Sequence, residues 1–116
     1  MTKTNHGTFE IKAGDQNYVL KPTLRAIRAI ENRFGGILPA TSAIGAASVS
    51  ATAFVIAAGS GVDFNKRKDL EAVEEHVFEA GIDNVGALVL PFLRALLNPS
   101  GKSKEEMERD TESGNE

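Results

Sequence analysis

No charged side chain occurs between Arg33 and Asp63. A run of that length has two common fates, a membrane span or the centre of a packed core. Thr41, Ser42, Gly45, Ser48, Ser50 and Thr52 interrupt its apolar side chains. That polarity favours the core, so no membrane partner is expected. Residues 41–59 are read as one helix of small side chains, to which neighbouring elements can come close. Ile44, Ala47, Ala51, Phe54, Val55 and Ala58 would form its core face. Val49 and Ile56 fall off that face and would be half exposed on a monomer, which points to a protein contact.

The flanking segments complete a small α+β fold, mostly α. Residues 8–12 and 17–21 alternate apolar and polar side chains around an AGDQ loop, the pattern of a β-hairpin over 8–21. A lone hairpin is marginal in water and needs a helical layer beneath it. Pro22-Thr23 ends the strand, and Thr23 can cap a helix over 24–34. Leu24, Ile27, Ile30 and Phe34 make its apolar stripe, and Gly35-Gly36 its stop. Glu31 falls close to that stripe. A carboxylate there needs a cation or a backbone donor, and Arg94 is a candidate.

A third helix, 68–80, turns Leu70, Val73, Val77 and Ala80 inward, with Asp63 or Asn65 as its cap. The fourth, 84–97, is apolar nearly all round, which suggests a central place. Asp83 can cap it, and Pro91 should kink or split it. The expected architecture is thus a short hairpin on a bundle of about four helices, one domain over 7–98. Residues 1–6 are expected to be flexible, and they contain no apolar run that reads as a secretory signal. Residues 99–116 have Met107 as their only apolar side chain after Pro99 and are expected to form a disordered acidic tail.

Charge narrows the function. Residues 101–116 carry Lys102, Lys104 and Arg109 against Glu105, Glu106, Glu108, Asp110, Glu112 and Glu116, a net of −3. The whole chain is also −3, so residues 1–100 are neutral. A neutral body offers no broad footprint for nucleic acid. Two small basic groups stand out, Lys66-Arg67-Lys68 and the set Lys21, Arg25, Arg28 and Arg33. Arg25 and Arg28 form a stripe suited to an acidic partner or to this chain's own tail. The apolar surplus of the last helix is a second docking candidate.

No enzyme chemistry is expected. The chain has no cysteine and only two histidines, His6 and His76, too few and too far apart for a metal site. His76 reads as a surface side chain on an acidic helix. No G-x-S-x-G or P-loop order occurs, and no cofactor is implied.

One segment has a recognisable order. Gly7 leads into a strand, then Gly14, Tyr18-Val19-Leu20-Lys21-Pro22-Thr23, Ala26, Ile30-Glu31 and Gly35. Ala57-Ala58-Gly59 and an apolar last helix follow. Over about residues 7–97 this resembles the tail assembly chaperone family of phages and gene transfer agents. The resemblance implies a non-enzymatic helper in the host cell cytoplasm that binds the tape measure protein, the tail tube protein, or both. Some members of the family are labelled tail tube or minor tail proteins, so a permanent structural role is the alternative. A small nucleic-acid-binding regulator using Arg25, Arg28 and the 66–68 run is the third reading. Tyr18, Pro22, Thr23 and Glu31 match the family pattern, each with a structural task available. The Ala- and Ser-rich second helix and the acidic tail depart from it.

Overall fold

The computed structural model describes residues 7–98; the flexible start expected over 1–6 and the disordered acidic tail expected over 99–116 lie outside the described residues. The order is β1 (Phe9–Ala13), β2 (Gln16–Leu20), α1 (Leu24–Phe34), α2 (Ile37–Gly45), α3 (Val49–Ser60), α4 (Arg67–Ala80) and α5 (Ile82–Leu97). The fold is α+β and mostly helical, as expected, with five helices rather than four.

The hairpin is antiparallel, with Phe9 opposite Leu20 and Ile11 opposite Tyr18. Opposite residues share a face of the sheet, so Phe9, Ile11, Tyr18 and Leu20 form one apolar surface against the helices. Gly14 takes φ +64° in the turn, a conformation that suits glycine. The Lys21 amide then donates to the Gly59 carbonyl at 3.0 Å, pinning the exit of β2 to α3. Thr23 caps α1 as expected, its hydroxyl accepting from the Ala26 amide at 3.1 Å.

The largest correction concerns the uncharged run. It is two helices, not one. Ala47 sits at φ +64°, the left-handed region that non-glycine residues seldom enter. The Ser48 amide reaches back to the Ala43 carbonyl at 3.2 Å and the Ala46 amide to Ser42 at 2.9 Å. That six-to-one bond around a left-handed residue closes a helix end, usually with glycine in place of alanine. Ser48 then starts α3, its hydroxyl accepting from the Ala51 amide at 3.1 Å. Ser48→Ala is therefore expected to lower stability by about 1 kcal/mol and Ser48→Gly by only a few tenths, read as midpoint shifts in urea titrations. The break removes Ala47 and Ile44 from the expected face of a single helix. Ala47 is exposed, and Ile44 is buried on α2.

The centre of the molecule is α3, not α5. Every residue of α3 from Ala51 to Ala58 is buried, and α3 touches β2 and all four other helices. A helix so enclosed must be apolar all round. Of its buried hydroxyls, Thr52 satisfies itself by donating to the Ser48 carbonyl at 2.8 Å, while the Ser60 Oγ at the end of the helix finds no partner among the described residues. By contrast, α5 is two-faced. Val85, Val89, Phe92, Leu93 and Leu96 are buried, while Ala87, Pro91, Arg94 and Leu97 are exposed. It runs unsplit from Ile82 to Leu97 with Pro91 inside it.

Three expected caps and one pairing also differ. The N-cap of α4 is Lys66 and that of α5 is Gly81, neither with a side-chain bond. Asp63 instead accepts from the Asn65 amide at 3.0 Å in the preceding loop, and Asp83 lies in the first turn of α5. Glu31 is exposed, so it has no buried partner to satisfy. Its part is played by the backbone, whose carbonyl accepts from the Gly35 amide at 2.8 Å to close α1. Leu24 is exposed as well, because the core-facing side of α1 is Ala26, Ala29 and Ile30.

Candidate interaction surfaces

Chemistry-bearing clusters are scarce. Among the described residues no group of three or more His, Asp or Glu could hold a metal ion. No single helix among them is long and apolar enough to cross a membrane. His76 is not a free surface side chain. It is half-buried, and its Nδ1 lies 2.6 Å from the Tyr18 hydroxyl. That contact ties β2 to α4, and burial raises the Tyr18 pKa above its ordinary value. The 66–68 run is similarly occupied in part. The Arg67 Nε donates to Glu71 at 3.3 Å across one exposed helical turn, a pair worth about 0.3–0.5 kcal/mol.

Two surfaces stand out among the described residues. The first lies along α1. Arg25, Ala29, Asn32 and Arg33 fall at i, i+4, i+7 and i+8, hence on one side of the helix. Opposite them stand Phe54 of α3 and Phe64 of the α3–α4 loop, ring centroids 4.9 Å apart. The Arg25 guanidinium lies 5.4 Å from the Phe64 centroid and that of Arg33 lies 5.2 Å from the Phe54 centroid. Cations over ring faces at these distances are attracted by the ring quadrupole. Arg25 also donates through Nη1 to the Ala58 carbonyl at 3.3 Å, at the C-terminal end of α3, where a cation is favoured. Ala29, Asn32, Arg33, Phe54, Phe64 and Asn65 line an open pocket of about 350 Å³. Arg28 is exposed and does not line it.

The second surface is apolar. Leu38 and Thr41 of α2 and Leu90, Arg94 and Leu97 of α5 line a cleft of about 180 Å³. Leu38 is 69% exposed and Leu97 58% exposed, unusual for two leucines flanking one cleft.

The expected site residues divide against this map. Arg25 flanks the first surface, and Arg28 stands beside it. Val49 is half-buried against the core. Ile56 is fully buried, so the exposure that suggested a partner contact is absent; the neighbours of α3 cover it from all sides. Tyr18, Pro22 and Thr23 serve the hairpin and its exit. Leu38, Phe54 and Phe64 carried no signal of a surface role, since a lone apolar residue near a turn reads as core. The apolar surplus of α5 was legible, and Leu90 and Leu97 are part of it.

Compared with family models, curated proteins and solved structures, the chain finds no match.

Proposed function

We propose that this chain is a non-enzymatic assembly helper of the tail assembly chaperone kind, holding an apolar helical segment of a tape-measure-type protein in the α2–α5 cleft. The observation that supports this is the pair Leu38 and Leu97, exposed on either side of one cleft. An amphipathic helix binds such a cleft with apolar side chains at i, i+3 or i+4, and i+7. Arg94 at the same cleft can meet a carboxylate on the incoming helix. The residue order from Gly7 to Gly35 supplies the family context. An assembly helper needs weak, exchangeable contacts, whereas stable interfaces bury on the order of 1,200 Å² or more.

The test uses the intact chain, tagged, in cells producing particles. The tape-measure-type protein should co-purify with it and not with Leu38→Glu/Leu97→Glu, while finished particles lack the chain. A charge on the cleft wall leaves the buried core untouched, so circular dichroism should be unchanged. Equal capture by the double variant would reject the cleft as the site. Stoichiometric presence in finished particles would reject the helper role in favour of a structural tail component.

A further inference from the structure

The α1–α3 pocket is not used by that reading and has its own chemistry. Two arginines flank it, each held against an aromatic ring. Among the described residues no carboxylate forms an ion pair with either. Arg25 commits one donor to the Ala58 carbonyl, leaving the rest of its fork free. Phe54 and Phe64 provide an apolar wall between the two cations. Such an arrangement recognises one apolar side chain set between carboxylates. Arginine forks pair carboxylates in a bidentate manner, and a thioether packs well against ring edges.

The chain contains that sequence. Glu105-Glu106-Met107-Glu108 places its only methionine beyond Met1 among three carboxylates. Glu105 follows Asn98, the last described residue, by seven positions, up to about 25 Å of extended chain. The surrounding segment 101–116 is net −3, against a neutral body whose α1 carries Arg25, Arg28 and Arg33 and one acid, Glu31. We propose that the α1–α3 pocket is an acidic-peptide site and that residues 105–108 of the same chain are its occupant. In that seat Met107 would pack against Phe54 and Phe64, and the flanking glutamates would pair with Arg25 and Arg33.

The absence of cysteine makes the test direct. A nitroxide is attached to the full chain at Ser103→Cys, which leaves 105–108 intact, and amide broadening is recorded by NMR. Broadening should concentrate on Asn32, Arg33, Phe54, Phe64 and Asn65. It should be lost at about 1 M salt, where the screening length is about 3 Å. It should also be lost in Glu105→Gln/Glu106→Gln/Glu108→Gln, which leaves the folded body unaltered, and in Arg25→Gln/Arg33→Gln. Weak broadening spread over the whole surface would overturn the proposal, as would broadening that survives both variants. Broadening seen only when nitroxide-bearing chains are mixed with isotope-labelled, nitroxide-free ones would place a second copy's segment in the pocket and overturn the same-chain occupant.

Discussion

Phe92→Ala is expected to lower stability by about 3–5 kcal/mol, the range for removing a buried aromatic ring. Phe92 is fully buried, and its ring meets that of Phe9 edge to face at a centroid separation of 6.1 Å. It thereby joins α5 to β1. The loss includes both the transfer of the ring and the cavity it leaves, which α3 cannot fill because the facing position is glycine. Whole domains of this size hold on the order of 5–15 kcal/mol, so a large share of the variant would be unfolded at ordinary temperature. Guanidinium titration followed by circular dichroism measures this. A shift below about 1.5 kcal/mol would mean that the ring is not packed as described.

Gly59→Val is expected to cost about 3 kcal/mol or more, near the upper end for overpacking. A Cβ on Gly59 would lie 2.7 Å from the Phe92 Cζ and 3.1 Å from the Leu20 Cβ. Neither neighbour can yield easily, since both side chains are fully buried. The general preference runs the other way: replacing a helical glycine by alanine usually gains about 1 kcal/mol. Here close approach reverses the sign, and even Gly59→Ala should destabilise. The two sites should also couple. Gly59→Ala made together with Phe92→Leu should cost less than the sum of the separate losses, because the smaller side chain vacates the space the new methyl group needs. Simple additivity would show that the clash is relieved elsewhere.

The hairpin, the Pro22-Thr23 step, α1 and α4 were legible because each has a period and a punctuation mark. Alternation marked Phe9 and Ile11, and Thr23 and Gly35 bracketed α1. The break between α2 and α3 was hidden for a physical reason. Helix ends are read from glycine, proline and cap residues, and here the left-handed position is filled by Ala47, a strong helix former. Only Ser48 marked the spot, and serines are frequent throughout the run. The error spread from there, since a single helix over 41–59 has a different apolar face, and that face left Ile56 outside. The choice of central helix failed similarly. Large apolar residues suggested α5, but close approach favours small ones, and Ala51, Ala53, Ala57 and Gly59 make α3 the helix that others can crowd.

Of the two surfaces, Arg25 and the apolar surplus of α5 were visible beforehand. The aromatic wall was not. Phe54 lies in a core helix and Phe64 in a polar loop, and nothing in their spacing places them 4.9 Å apart. Glu31 shows the converse. Its place on a helical wheel suggested burial, yet small changes in how α1 rolls against α3 decide which edge of the stripe meets water.

The Phe9–Phe92 contact joins the first described strand to the last described helix. During synthesis on the ribosome, the hairpin emerges long before the surface it needs. Until α5 has left the exit tunnel, β1 has no ring to meet and one flank of Gly59 lies bare. The flank of α3 that faces Phe92 is therefore the last to be covered, since β2, α1, α2 and α4, which also pack on α3, are all made before α5.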